Sequence, residues 1–138
     1  MASALKSDNL GKLLLRLAVG GLMIFHGIFK LTHGIAFIDG LLTARGWPAF
    51  IGYGVYVGEI IAPILILIGW RTRIAAFIVA VDMVMAIWLA HSTALFTVKE
   101  AGGAWAIELE AFYLLAALAL FFVGGGQYSV SKGSNAWD

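Results

Sequence analysis

The sequence predicts an all-α membrane protein, a bundle of four transmembrane helices with a short amphipathic or re-entrant helix between the first and second. Its 138 residues are 62% hydrophobic and only 12% charged, whereas soluble domains are about 45–50% apolar and about 25% charged. The mean hydropathy is +0.94. Four apolar stretches approach the roughly 20 residues that cross a bilayer, and they cover about residues 11–31, 51–69, 74–90 and 105–123. We therefore expect one membrane domain over residues 1–138, surrounded by lipid.

Charge and cysteine content exclude several classes of function. The net charge of +1 is too small to predict a nucleic-acid partner. The chain has no cysteine, which excludes disulfides, thiol relays and cysteine-ligated iron–sulfur clusters. No local metal-ligand motif is present, so we expect neither a metal site nor an intrinsic cofactor. The first apolar run is long enough to span a membrane and has no small-residue cleavage site, so we expect it to remain as the first helix.

The first span and the connection after it contain two helical patterns. Gly20 and Gly27 are seven residues apart, which predicts close packing along one face. Arg16 is expected to extend its long side chain to the lipid headgroups. Residues 35–45 place their large apolar side chains on one side of a helical wheel, which predicts a short helix on the membrane surface or dipping into it.

The second span combines a carboxylate with small residues at helical spacing. Gly54, Gly58 and Ala62 recur every fourth residue, which favours close approach of another helix, either within the chain or in a homo-oligomer. Glu59 lies near the middle of the span, where an ionised carboxylate is costly unless it is paired or hydrated. Pro63 follows four residues later and has no N–H to donate to the Glu59 carbonyl.

Lysine and arginine positions predict the orientation. With four spans, Lys6, Lys12, Arg71, Arg73 and Lys132 fall on one side of the membrane, and only Arg45 and Lys99 fall on the other. Basic residues accumulate in cytoplasmic segments, so we expect a multi-pass protein with both termini in the cytoplasm. After the glycines at 124–126, the polar tail is expected to be poorly ordered.

Ionisable side chains inside the predicted spans form the candidate ligand or proton site. Such residues are rare in membranes and usually line a cavity or pair with one another. The alternative is that they only join helices. The candidates are His26, Lys30, Glu59, Asp82, His91, Glu108 and Glu110. Aromatic residues of the spans are mostly core or interfacial side chains, but some could enclose a flat apolar ring; the candidates are Phe29, Tyr56, Trp88 and Tyr113.

Several segments together resemble the DoxX family of small integral membrane proteins. They are, in order, Leu14-Leu15-Arg16-Leu17 with Gly20, Phe25-His26-Gly27 and Lys30-Leu31; Gly46-Trp47-Pro48; Glu59 within the second span; Gly69-Trp70-Arg71-Thr72-Arg73-Ile74-Ala75-Ala76; and Gly124-Gly125-Gly126-Gln127-Tyr128-Ser129-Val130. The resemblance covers about residues 10–131.

The resemblance implies a four-span protein of a bacterial or archaeal cytoplasmic (inner) membrane. It also implies an accessory or quinone-binding subunit of a membrane redox system, since some family members are associated with quinone-linked oxidation. Such a subunit would need redox partner proteins to deliver electrons and would not be a complete enzyme alone. The alternative is a non-redox membrane scaffold or a component of a small proton-coupled transporter.

Overall fold

The computed structural model describes residues 7–138, and this part of the chain is helical with short turns. Its principal helices are α1 (Asp8–His33), α2 (Ala36–Ala44), α3 (Ala49–Ile68), α4 (Thr72–Ala90) and α5 (Glu108–Val123). The described residues form no β-strand beyond one isolated antiparallel bridge between Val98 and Trp105. The prediction of an all-α protein is confirmed.

Three helices are long and apolar enough to cross a membrane. They are α1 with 26 residues, α3 with 20 and α4 with 19. The chain is therefore a multi-pass membrane protein in contact with the lipid bilayer. The predicted fourth span corresponds to α5, which has 16 residues and packs along α4. Whether α5 crosses the membrane stays a prediction, as does the orientation, and Lys6 lies outside the described residues.

Two widened turns interrupt the regular hydrogen bonding of α1 and α3. They are π-helical turns at Leu17–Gly21 and Val57–Ile61. In the second, the backbone N–H of Ala62 donates to the carbonyl of Val57, five residues earlier. Pro63 cannot supply the usual donor for the Glu59 carbonyl, so the regular α-helical hydrogen bonding is also interrupted directly after this turn. Such turns are frequent at functional sites.

The core lies between α1, α3, α4 and α5 and is built from small and medium-sized apolar side chains. Small residues on α4 let its neighbours approach closely. The fully buried members include Val19, Met23, Ala62, Ile66, Ala75, Ala76, Val79, Ala117 and Leu120. The core extends from Ala75, near the turn between α3 and α4, to Met83 in the second half of α4 and Tyr113 in the first half of α5.

Glycines allow α1 to lie directly against α3. A Cβ at Gly20 would come within 2.8 Å of the Pro63 carbonyl oxygen. A Cβ at Gly27 would collide with the carbonyl group of Glu59 and lie 2.5 Å from a side-chain carbon of Ile60. The two glycines thus form the contact line between the helices, and Gly27 brings α1 next to the turn that carries Glu59.

Two members of the Gly54/Gly58/Ala62 ridge pack within the chain, and its use by another copy of the chain stays a prediction. Ala62 is fully buried in the core. A Cβ at Gly58 would collide with the carboxyl group of Asp82 on α4. Among the residues that the structure describes, none has an atom within 4 Å of a Cβ placed on Gly54. Two members of the ridge are therefore in contact within one chain, and the space beside the third is free of described residues.

Gly27→Ala is expected to lower the free energy of unfolding by about 1–3 kcal/mol, because the backbone it would strike cannot move like a flexible side chain. Gly54→Ala is the matched control. It adds the same methyl group to a helix where space is free, and it should be neutral or stabilise by up to about 1 kcal/mol. Unfolding in mixed detergent micelles measures both. Equal stabilities of the two variants would contradict the close contact.

Arg16 does not extend to the headgroups, so that expectation is wrong. Its side chain is 2% exposed and donates to four backbone carbonyls. Nε and Nη2 bind the carbonyls of Ile66 and Leu67 at 2.8 and 2.6 Å. Nη1 binds those of Gly125 and Tyr128 at 3.2 and 2.5 Å. The guanidinium therefore joins the end of α3 to the segment after α5.

The tail after α5 is folded against the bundle, contrary to the expectation of poor order. Val130 N–H donates to the Ile68 carbonyl at 3.0 Å. The carboxyl group of Asp138 accepts the Arg71 N–H at 3.0 Å, at the start of α4. Burial opposes ionisation of Asp138, but hydrogen bonds led by those from Asn135 and Arg71 outweigh it and lower the pKa of this carboxyl group. An ionised carboxylate at a helix N-terminus is favourable.

The predicted helix within residues 35–45 is present as α2. Its buried face includes Leu42, at 1% exposure. At its end, Arg45 donates to the Trp88 carbonyl at 3.1 Å and lies over the Trp88 ring at 5.1 Å. These contacts attach α2 to the C-terminal end of α4. Its depth in the membrane stays a prediction.

Candidate ligand and proton site

A cavity of about 550 Å³ occupies the end of the bundle that carries α2. Ligand pockets in proteins typically measure about 300–1,000 Å³. All five helices contribute to its wall, and most of the wall is apolar. Six of the seven predicted ionisable site residues line it, namely His26, Lys30, Glu59, Asp82, His91 and Glu110.

An ion pair between α1 and α3 forms the most buried polar contact of the cavity. Lys30 Nζ donates to both carboxylate oxygens of Glu59, with Oε1 at 2.6 Å. The Glu59 side chain is 6% exposed and that of Lys30 is 24% exposed. A buried charge is tolerated when it is paired and hydrogen-bonded. Gly27 and the widened turn at Val57–Ile61 together bring the two side chains into this pairing.

Asp82 enters the same region from α4 and is incompletely paired. The absence of a side chain at Gly58 provides the space for its carboxyl group. Its Oδ2 atom is buried and has no hydrogen-bond partner among residues 7–138. A buried polar atom without a partner is costly. Asp82 therefore offers an open hydrogen-bonding position beside the Lys30–Glu59 pair.

Two further pairs of side chains line the cavity. The ring of His26 meets that of Tyr113 edge to face, with centroids 5.9 Å apart. The imidazole Nε2 of His91 lies 3.3 Å from Oε1 of Glu110. These side chains are 39% and 22% exposed, so they are more open to the surroundings than Glu59. Each pair joins α5 to another part of the chain.

The remaining predicted site residues lie outside the cavity. Glu108 accepts the Trp105 N–H at 3.3 Å at the start of α5. Phe29 stacks on His33 at 4.1 Å. Trp88 packs on Trp47, and Tyr56 donates its hydroxyl group to the Lys30 carbonyl at 3.3 Å. Of the four candidate aromatic residues, Tyr113 lines this cavity, and Phe29, Tyr56 and Trp88 do not. Their role around a ligand ring stays a prediction.

Comparison with known proteins identifies the family. The model of the DoxX family matches residues 11–92, more than half of the chain. The chain belongs to the DoxX family. The matched residues include most of α1 and all of α2, α3 and α4, and therefore Lys30, Glu59 and Asp82.

Two relatives of this DoxX protein cover different shares of it. An uncharacterized protein of Haemophilus influenzae is 35% identical over 115 residues, which are 81% of each chain. A Bacillus subtilis protein named "Putative oxidoreductase CatD" is 32% identical over 82 residues, which are 59% of this chain and 60% of that protein. No solved structure matches the sequence.

The sequence did not predict the apolar wall of the site in this DoxX protein. Much of it comes from α2, whose Phe37, Ile38, Leu41 and Leu42 line the cavity. The apolar face of residues 35–45 was the available signal, but it equally fits a helix lying on lipid. In the described part of the chain, no three His, Asp or Glu side chains are grouped to hold a metal ion.

Proposed function

We propose that this DoxX protein is an accessory, quinone-binding subunit of a membrane redox system. One observation carries the proposal. The Lys30–Glu59 pair and the unpartnered oxygen of Asp82 lie in an apolar cavity large enough for a ring. The relative named as an oxidoreductase supports a redox role for this chain as well.

The wall of the cavity favours a ligand that arrives from the lipid. Val57, Phe77 and Val81 line it, and they are 40%, 53% and 47% exposed on the membrane-crossing helices α3 and α4. The apolar lining is thus continuous with the surface that contacts lipid. A flat ring with an apolar tail would reach the polar groups without crossing water, with its tail left among these side chains.

The polar groups of the cavity can form hydrogen bonds with the oxygen atoms of such a ring. Lys30 Nζ has three protons and can donate to a ring oxygen in addition to Glu59. Asp82 Oδ2 offers the open position described above. A bound quinone supplies two-electron chemistry coupled to protons. The residues themselves would orient the ring oxygen and hold protons at the carboxyl groups of Asp82 and Glu59.

Further parts of the proposal concern the surroundings of the subunit. The chain has no cysteine-ligated cluster of its own, so electrons would come from a redox partner protein. We propose α5 as the fourth span, which places both termini in the cytoplasm of a bacterial or archaeal inner membrane. If the chain forms a homo-oligomer, it would use the exposed apolar faces of the helices rather than the Gly58/Ala62 ridge.

Loss of bound quinone in site variants tests this function. Protein purified in mild detergent should contain about one quinone per chain in its organic extract, measured by mass spectrometry. Glu59→Gln and Asp82→Asn should each reduce retention about tenfold or more, since a hydrogen bond to a charged group contributes about 1.5–3 kcal/mol. Glu108→Gln is the matched control, because Glu108 lies outside the cavity, and it should retain quinone fully.

An extract that contains only phospholipid would contradict the quinone proposal. The open oxygen of Asp82 beside an ion pair would then favour proton-coupled transport. That function requires solute uptake driven by a pH gradient and abolished by Asp82→Asn.

A further inference from the structure

We infer that the His91–Glu110 pair is a polar portal through which water, and with it protons, reaches the cavity from the membrane face that carries α2. The inference deepens the proposed function, because it assigns protons and ligand to different entrances. The ligand enters between apolar side chains from the lipid, and protons enter at the end of α4. The assignment of the portal does not depend on the ligand being a quinone.

The position of the pair defines the entrance. His91 directly follows α4, and Glu110 lies in the first turn of α5. Both side chains line the cavity and are partly exposed. Where membrane helices end, the chain returns to the aqueous boundary. The pair is therefore the point at which ionisable cavity groups meet this boundary.

The opposite end of the bundle is closed by packing and hydrogen bonds. Arg16, buried and bound to four carbonyls, lies there with the folded tail. Thr72 at the start of α4 is fully buried. Among residues 7–138, the lining of the cavity comes closest to this end at Phe77 on α4, whose ring packs on Phe121, and at Met23 on α1. Seven residues of helix separate Met23 from Arg16, which is about 10 Å.

A polar route connects the portal with the inner groups. Asp82 and His91 are nine residues apart, so about 13 Å of helix separates them. The cavity is large enough for ordered water, which needs two or more polar partners in its wall. The titratable side chains that line it from the helices and from the end of α4 are His26, Lys30, Glu59, Asp82, His91, Glu110 and Tyr113. A proton entering at the portal would therefore meet acceptors throughout the cavity.

The absence of cysteine makes the portal directly testable. Ala86→Cys places one thiol in the cavity wall, one turn beyond Asp82 toward His91. Glu100→Cys marks the loop between α4 and α5, and Trp70→Cys marks the turn at the opposite end of α4. Each variant is reconstituted in vesicles and treated with a membrane-impermeant trimethylammonium methanethiosulfonate on one side at a time.

We expect Ala86→Cys to react only from the side at which Glu100→Cys reacts. Ala117→Cys, in the packed core, should not react from either side. Reaction of Ala86→Cys from the side at which Trp70→Cys reacts would overturn the inference. The absence of any reaction of Ala86→Cys, from either side, would also overturn it. The readout needs no quinone, so it succeeds or fails independently of the proposed function.

Substitution of the pair tests whether it forms the entrance. In the Ala86→Cys chain, His91→Leu with Glu110→Leu should slow modification about tenfold or more, because an apolar portal excludes a charged reagent. His91→Gln with Glu110→Gln keeps the portal polar and similar in size, so its rate should stay near that of the parent. Glu108→Leu, on the same helix outside the cavity, should also leave the rate unchanged. A parental rate in the double leucine variant would overturn the assignment of the portal.

Discussion

Glu59→Leu is expected to lower the free energy of unfolding by about 2–4 kcal/mol, because it leaves the Lys30 ammonium in the cavity without its partner. Removing one member of a buried ion pair typically costs about 3–5 kcal/mol. Lys30 remains 24% exposed, so partial hydration should reduce that cost. Reversible unfolding in mixed micelles, followed by the loss of helical circular dichroism, measures the difference.

The double variant Lys30→Met with Glu59→Leu separates the charge from the packing. Without either charge no group is left unpaired, so we expect most of the lost stability to return. Quinone retention should stay reduced, because the ring loses the contact with Lys30 and keeps only the one with Asp82. A double variant as unstable as Glu59→Leu would contradict this account, since it would show that shape rather than charge dominates the effect.

Arg16→Met should lower stability by about 4 kcal/mol or more and release the tail. The guanidinium satisfies the carbonyls of Ile66, Leu67, Gly125 and Tyr128. The Ile66 carbonyl keeps the Gly69 N–H at 3.1 Å, so three carbonyls lose their donor, and each such loss costs about 1–3 kcal/mol. Limited proteolysis of vesicle-embedded protein should cut the tail after residue 124 in the variant and not in the parent.

Two comparisons make the Arg16 prediction specific. Arg16→Lys should recover only part of the stability, since an ammonium group cannot reproduce the planar fork of the guanidinium. Arg45→Met removes a less buried arginine with one contact to a carbonyl on another helix, and we expect it to cost about 1 kcal/mol or less. If Arg45→Met lowered the free energy of unfolding as much as Arg16→Met does, the four carbonyl contacts of Arg16 would not explain its effect.

The sequence predicted much of the polar site because membrane helices rarely contain ionisable residues without a reason. Glu59, Asp82 and Lys30 are each recognisable in the sequence as ionisable residues inside an apolar span. The pairing of Lys30 with Glu59 rather than with Asp82 depends on the rotation of α1 against α3. Gly27 and the widened turn set that rotation, and a helical wheel with constant period does not represent either.

Other features could not be predicted, since backbone groups supply them. Arg16 binds carbonyls that lie 50 to 112 residues away in the chain, and a carbonyl carries no side-chain signal. The expectation of a poorly ordered tail fails for the same reason, because its polar composition is typical of disorder while its contacts with the bundle involve main-chain N–H and carbonyl groups. The contribution of α2 to the cavity wall could not be predicted, because the sequence does not indicate whether the apolar face of an amphipathic helix contacts lipid or protein.

The widened turn at Val57–Ile61 also divides α3 into two segments, and the directions in which their side chains point around the helix axis are offset from each other. Its extra residue offsets the side chains before it from those after it by about 100°, the rotation per residue of an α-helix. The first segment can therefore present Val55 to the cavity while the second presents Ile66 to the core. Migration of the turn by a single residue would swing Glu59 through about the same angle without tilting either segment. The helix can thus rotate locally about its own axis at this turn, and the turn carries Glu59, the carboxylate that pairs with Lys30.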